Sequence, residues 1–241
     1  MTSIQTQYNR ICKKHLMPLG FVKYKTTWGR IVNDVYQCIY FEGLPKSFDF
    51  SRCRIGFGIH PLGMKIEPNW YADGIFGFYL NIFKPECFDP FESDCFLYSK
   101  YEEDILRVSN EIEQLIVENL LPLFTKADNC NTAYNELKTL NKISFPQQTI
   151  NFYLALKTKN YSHALELRKD EYDTRIDGYK RTAHILSEEK KAERLRYYEK
   201  LKTEITMLEA ECYSYFDKLL IENEKHSLDS WNTFLKDYKI M

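Results

Sequence analysis

Residues 53–60 read CRIGFGIH, and this alternation of apolar side chains with glycines and polar side chains predicts the central strand of a sheet. One face of the strand would carry Cys53, Ile55, Phe57 and Ile59. The opposite face would carry Arg54, Gly56, Gly58 and His60. Two glycines on one face predict a close approach at that point, by a helix or by a crossing backbone.

Strand signals continue on both sides of this segment. Aromatic and β-branched residues dominate 21–26, 28–32, 35–41 and 75–83, and Asn33-Asp34 is typical of a tight turn. The connections are too short for crossover helices, so we expect four or five strands, mostly antiparallel. The remaining segments of this region, 61–72 and 84–98, are predicted as loops.

Two amphipathic helices accompany these strands. Thr2 with Gln5 forms a capping-box pattern before an apolar stripe that ends at Pro18 and Gly20. Ser99 with Glu102 predicts the cap of a longer helix, which runs to about residue 121 before Pro122 perturbs it. We expect these two helices to cover one face of the sheet in a two-layer α+β domain.

The composition changes near residue 100. Eight of the nine glycines lie at or before Gly77, and six of the eight prolines lie at or before Pro90. Helix interiors exclude both residue types, so the rest of the chain is predicted to be helical. Ser144 with Gln147 predicts a new helix start. We therefore divide the chain into an α+β domain, 1–143, and a helical domain, 144–241.

Apolar residues at alternating spacings of four and three follow 172–186 and 201–219 and predict two coiled-coil-like seams. The polar run SEEKKAER, at 187–194, separates them. This pattern favours an antiparallel helical hairpin folded at that run, with one continuous helix as the alternative. A last short helix, 228–238, would dock back through Trp231 and Phe234. A single tetratricopeptide-like pattern at 155–164 indicates an ordinary pair of helices.

Charge and cysteine content exclude several classes of protein. The 33 basic and 34 acidic residues give a net charge of -1, which argues against bulk nucleic acid as a partner. No apolar run approaches the roughly 20 residues of a membrane helix, and no secretory signal is recognisable at the N-terminus. Seven cysteines without a C-x-x-C pair indicate free thiols in a cytoplasm, and five scattered histidines predict no metal or cofactor site.

Residues 16–21, LMPLGF, end the first helix and lead directly into strands. This L-x-P-x-G-F opener resembles that of a large family of bacterial domains of unknown function, and the strand RIGFGIH is similar in character to the central strand of that family. The likeness covers about residues 1–140. It implies an α+β domain in a bacterial cytoplasm and brings no activity, cofactor or catalytic residue with it.

Three hypotheses for the function follow. The first is a non-enzymatic protein-interaction module, with the C-terminal helices binding another protein or a second copy; one variant is a protein that neutralises a bacterial toxin. The second is an enzyme or small-ligand binder that uses the Arg54 guanidinium and the His60 imidazole on one sheet face. The third is a binder of single-stranded nucleic acid that stacks bases on Phe76 and Phe78.

Overall fold

The computed structural model describes residues 3–47, 50–67, 77–84, 94–140 and 145–238. These residues form the predicted α+β fold around an antiparallel sheet. The strands are β1 (Val22–Tyr24), β2 (Thr27–Val32), β3 (Val35–Ser47), β4 (Phe50–Pro61), β5 (Phe78–Tyr79) and β6 (Phe96–Tyr98). Their order is β1-β2-β3-β4-β5, and β6 pairs with β4 along the edge that also carries β5.

The helices follow the same division between front and back of the chain. They are α1 (Ile4–His15), α2 (Glu102–Leu115), α3 (Leu121–Lys126), α4 (Cys130–Thr139), α5 (Phe145–Lys157), α6 (Tyr161–Thr182), α7 (Glu188–Glu209) and α8 (Tyr213–Asp237). One π-helical turn, Ile116–Leu120, joins α2 to α3. It lies just before Pro122, whose ring and missing N–H disfavour regular α-helical bonding there.

The starts of α1 and α2 differ from the sequence prediction. Ser3, not Thr2, caps α1, and its hydroxyl accepts a hydrogen bond from the Thr6 N–H at 3.2 Å. The cap of α2 is Tyr101, because Asp104 accepts a hydrogen bond from the Ser99 backbone and holds that residue outside the helix. Three acidic residues in the first turn of α2 complement the helix dipole instead of a side-chain cap.

The largest core lies between one face of the sheet and helices α1 and α2. It contains the predicted inward set of β4, which is Cys53, Ile55, Phe57 and Ile59, together with Tyr8 and Ile11 of α1 and Val108 and Ile112 of α2. The predicted cover of this face by two helices is confirmed. Each apolar side chain buried there contributes about 1.5–3 kcal/mol relative to an exposed one.

The close approach at the glycines of β4 is made by side chains and not by a helix or a crossing backbone. The Tyr40 ring lies over Gly56, and the imidazole of His60 lies over Gly58. A Cβ at either position would overlap these rings. A backbone approach does occur at Gly77, where a Cβ would collide with the Phe57 carbonyl oxygen of β4.

The opposite face of the sheet is also covered, so the two-layer expectation was incomplete. Helix α8 packs there: the Phe234 ring lies 5.5 Å from that of Tyr24, and the Trp231 ring lies 5.8 Å from that of Tyr36. This second core also includes Leu62 and Ile66 from the turn after β4, together with Cys38. Helices therefore lie on both faces of the sheet.

Two strand predictions needed correction. Only Phe78–Tyr79 of the predicted strand 75–83 is extended in the described part, since a 3₁₀ turn at Leu80–Ile82 buries Leu80 in the core; residues 75 and 76 lie outside the described residues. The segment 84–98, predicted as a loop, contains β6. Its Phe96 pairs with Cys53 and is fully buried, and this burial stabilises the short strand at the edge of the sheet.

The predicted hairpin in the helical region is confirmed as α6 and α7. The two helices are antiparallel, because Lys169 near the start of α6 pairs with Glu209 at the end of α7, and Thr182 at the end of α6 pairs with Arg194 near the start of α7. The chain turns at 183–187, immediately before most of the predicted polar run, and Ser187 caps α7. Tyr161 and Ala164 begin α6 after Ala155 of α5, so the tetratricopeptide-like pattern marks an ordinary helix pair.

The last two helix predictions were wrong in their boundaries. The apolar seam at 201–219 crosses a turn, because Glu211 adopts a positive φ of 54° between α7 and α8. The short helix at 228–238 is the end of the 25-residue α8.

Contacts also cross the predicted boundary at 143/144, since Ile150 and Leu154 of α5 belong to the core that α1 and α2 form with the sheet. The division into two domains stays a prediction.

Candidate functional site

The structure places Arg54 and His60 on the same face of β4, as predicted, and does not bring them together. They lie six positions apart along the strand, a distance of about 20 Å. His60 is fully buried, and its ring packs 6.3 Å from that of Tyr36. Arg54 is partly exposed; its Nε lies 2.9 Å from Asp94 Oδ2, and its guanidinium lies 5.6 Å from the Tyr79 ring centre. One small ligand would not meet both side chains.

The predicted aromatic platform for bases has one member in the described part of the chain. Phe78 is buried, and its ring stacks at 5.4 Å on that of Phe57 in the main core. Phe76 lies outside the described residues. Because Phe78 points into the core, its ring is not open to a stacked base.

A different surface, between α6 and α7, forms an open groove lined by charged and aromatic side chains. The two antiparallel helices enclose an open groove of about 1310 Å³. Its basic lining residues are Arg175, Lys190, Arg194, Arg196 and Lys200. The others are Glu189, Glu193, Thr174, Thr182, Leu186, Gly178 and three tyrosines, 179, 197 and 198. We call this surface the hairpin groove.

The hairpin groove concentrates positive charge in a chain that is nearly neutral. Five of its side chains are basic and two are acidic, against a net charge of -1 for the whole sequence. Among the described residues, Lys190, Arg194 and Arg196 have no carboxylate within ion-pair distance; Arg194 donates instead to the Thr182 hydroxyl at 3.2 Å. These three cations are therefore available to an anionic partner.

A buried ionic cluster contacts three of the groove residues. Arg168 donates to Glu171 through Nη1, and its Nε lies 2.6 Å from Glu204 Oε2. Its guanidinium also lies 3.5 Å from the centre of the Phe152 ring in α5. All three charged groups are buried. Burial acts to lower the pKa of Arg168, but Glu204 and Glu171 outweigh it and raise that pKa, so the guanidinium stays charged.

The buried cluster holds groove residues in place. Glu171 Oε1 accepts hydrogen bonds from the Tyr197 hydroxyl at 2.6 Å and from Arg175 Nε at 3.0 Å. Lys200 Nζ lies 3.8 Å from Glu204 Oε1. These contacts orient three of the groove side chains from below, which is how supporting residues keep a binding site in one geometry.

A small cavity of about 160 Å³ adjoins the cluster and shares Tyr197 and Lys200 with the hairpin groove. Tyr153 and Arg168 also line it. Burial raises the pKa of Tyr153 to about 12, and burial together with the bond to Glu171 raises the pKa of Tyr197. Both phenols remain protonated at neutral pH, and that of Tyr197 donates a hydrogen bond to Glu171.

No arrangement of nucleophile and base lies among the described groove residues. In the described ranges, no group of histidines, cysteines and carboxylates has the geometry of a metal site. Burial raises the pKa of the Cys53 thiol to about 12, which makes it a poor nucleophile.

Sequence reasoning missed the hairpin groove. It treated SEEKKAER only as a polar run between two helices, although Lys190 and Arg194 from this run line the groove. One signal was present: the basic residues at 190, 194 and 196 and the tyrosines at 197 and 198 fall within three helical turns. Their convergence with Arg175 depends on the hairpin, which brings two distant segments together.

Comparison with family models, with curated proteins and with solved structures finds no match to this chain. The resemblance of residues 1–140 to a bacterial domain family stays a prediction. In the described part of the chain, none of the helices combines the length and the apolar character needed to cross a bilayer.

Proposed function

We propose that this protein is a non-enzymatic interaction module whose hairpin groove binds an acidic helical segment of another protein. The observation that carries the proposal is the row of three cations in the groove, Lys190, Arg194 and Arg196, which have no carboxylate partner among the described residues. An acidic segment would supply those partners. Arginine in particular matches a carboxylate with two parallel hydrogen bonds.

The shape of the hairpin supports a helix as the bound element. Between residues 172 and 200, all of which the structure describes, only Tyr198 is buried. Two antiparallel helices with so little common core leave a groove of the kind into which a third helix packs. Tyr179 and Leu186 in the groove would supply apolar contact beside the charges.

The aromatic rings of the groove argue for a protein over a single-stranded nucleic acid. Tyr198 packs edge-on at 5.6 Å from Tyr179 and at 6.5 Å from Tyr172, and the Arg175 guanidinium lies 4.7 Å from the Tyr197 ring centre. Base stacking needs open ring faces, and these rings are engaged with one another and with Arg175.

Charge also argues against the same groove of a second copy as the partner. A two-fold dimer would place each groove against itself, and both surfaces carry five basic and two acidic side chains. Like charges in contact across an interface are unfavourable. We therefore assign the groove to a different protein. The cytoplasmic location belongs to the proposal and rests on the six described cysteines, which are all free thiols.

The test is a selection from displayed random peptides of about 16 residues, roughly 24 Å long as helices. We expect the protein to enrich helical peptides rich in Asp and Glu. The double variant Arg194→Glu, Arg196→Glu should weaken binding of a selected peptide about tenfold or more, and binding should weaken with added salt. Fluorescence anisotropy with the labelled peptide measures both effects.

The matched control is Lys218→Glu, Lys225→Glu, which reverses two exposed charges on α8 outside the groove. It should bind the selected peptide as the wild type does. Enriched peptides without net negative charge, or equal binding by both double variants, would contradict the proposal. Tighter binding of a single-stranded oligonucleotide than of any selected peptide, or dimerisation that the groove variant abolishes, would also overturn it.

A further inference from the structure

Gly178 is the one glycine in the sequence after Gly77, and it lies inside α6. A glycine in a helix interior destabilises the helix relative to alanine, because the unfolded chain has more backbone freedom to lose. Such a residue normally answers a need of the fold, such as a left-handed backbone or a crowded neighbour.

Neither need exists at Gly178. Gly20 is the described glycine with a positive φ, at 84°, and it ends the first helical segment. At Gly56 and Gly63 a Cβ would collide with the side chains of Tyr40 and Leu220. At Gly178 a Cβ would meet nothing within 4 Å among the described residues. The fold of the free protein therefore does not require glycine at this position.

The position of Gly178 within the molecule is specific. It lines the hairpin groove, between Arg175 and Thr182 on the same helix and across from Lys190 and Arg194 of α7. A helix without a side chain at one point offers a flat surface, and the distance between two packed helices depends on the side chains at their contact. Gly178 thus creates a place for close approach in the surface that carries the unpaired cations.

We propose that Gly178 is the point at which the bound helix crosses α6 in close contact. This inference rests on the proposed function and specifies its binding mode. The acidic side chains of the partner would reach toward Lys190 and Arg194 from a backbone lying against Gly178. A bulky side chain at the crossing would push that backbone away and separate the charges.

The test is a size series at one position, Gly178→Ala and Gly178→Leu, measured for thermal stability and for affinity toward an acidic peptide selected by the wild type. Both variants should raise the melting temperature of the free protein, because alanine and leucine are better helix formers. Affinity should fall with size: a few-fold for alanine and about tenfold or more for leucine, in line with the penalty for overpacking.

Ala192→Leu is the matched control, since Ala192 is exposed on α7 and does not line the groove. It should leave the affinity unchanged. Undiminished affinity in Gly178→Leu would overturn the crossing while leaving the proposed function intact. A lower melting temperature in Gly178→Ala would show that the fold itself needs the glycine. If the wild type selects no acidic peptide, the proposed function fails, and the crossing fails with it.

Discussion

At the scale of single residues, Arg168 shows how a charge is accommodated in the interior of this protein. It is 2% exposed and lies between two buried carboxylates, those of Glu171 and Glu204. Two ionised carboxylates without a cation between them would be costly in that environment. The arrangement also fixes Tyr197 and Arg175 through Glu171, so stability and the geometry of the hairpin groove depend on the same contacts.

We expect Arg168→Met to lower the free energy of unfolding by about 3–5 kcal/mol, because two buried carboxylates lose the one buried cation that contacts both. Urea denaturation measures the change. The triple variant Arg168→Met, Glu171→Gln, Glu204→Gln should recover most of the lost stability, since the loss comes from the negative charges of the two buried carboxylates. A single variant as stable as the wild type would show that the cluster does not hold this part of the fold.

The sequence correctly predicted which face of β4 carries each side chain, and it did not predict whether that face is buried. Alternation along β4 correctly assigned Arg54 and His60 to one face. It carried no information on what covers that face: α8 packs beside the end that carries His60, and Asp94 pairs with Arg54 at the other end. Periodicity within a strand shows which side chains share a face. Whether that face is buried depends on elements far away in the sequence.

At the scale of elements, α8 is attached to the sheet by hydrogen bonds as well as by apolar contact. The Ser227 hydroxyl donates to the Leu62 carbonyl at 2.7 Å and accepts from the Ile66 N–H at 2.8 Å. Asn223 donates to the Gly63 carbonyl at 2.8 Å. The inner face of α8 thus satisfies the backbone groups of the turn that follows β4.

Replacing Ser227 by alanine should lower the free energy of unfolding by about 2–3 kcal/mol, because the buried Ile66 N–H loses its partner and the Leu62 carbonyl keeps only the hydrogen bond from the Lys65 N–H. Ser214→Ala, at an exposed position on the same helix, is the control and should stay within about 0.5 kcal/mol of the wild type. Thermal or urea unfolding of both variants distinguishes them. Equal stability would mean that water replaces the Ser227 hydroxyl at both groups.

The same polar face explains why the sequence prediction shortened α8. Asn223, Ser227 and Ser230 point inward at the spacing of a helix, where apolar residues are expected. Apolar inward residues resume at Trp231, so the pattern indicated a helix only from 228. The opposite error occurred at Glu211, where the four-three spacing continued through a turn that has neither glycine nor proline.

At the scale of the whole molecule, the helical half completes the sheet. Phe234 of α8 packs with Tyr36, Cys38 and Ile66 on one face, and α5 adds two residues to the core on the other. The distal part of the hairpin contrasts with this: none of residues 176–193, all described, is buried. One part of the helical region supports the fold, and the other extends from it.

We expect residues 1–143 produced alone to lack a cooperative unfolding transition and to bind a hydrophobic dye, because the face that α8 covers becomes exposed. In contrast, replacing residues 176–193 by a short Gly-Ser linker should leave the melting temperature nearly unchanged and abolish binding of the selected acidic peptide. Calorimetry measures the unfolding of both variants, and fluorescence anisotropy measures peptide binding by the linker variant. A cooperatively folded 1–143 fragment would establish the predicted boundary as a true domain boundary.

Local residue patterns were enough to predict the α+β class, the antiparallel strands, the inward face of β4 and the helical character of the back of the chain. These features depend on periodicity and on glycine and proline placement, which act between near neighbours. Tertiary contacts account for the cover of the second sheet face by α8 and for the groove that Arg175, Lys190 and Arg194 share. Those contacts join residues distant in the chain, and local patterns do not specify which distant surfaces pack together.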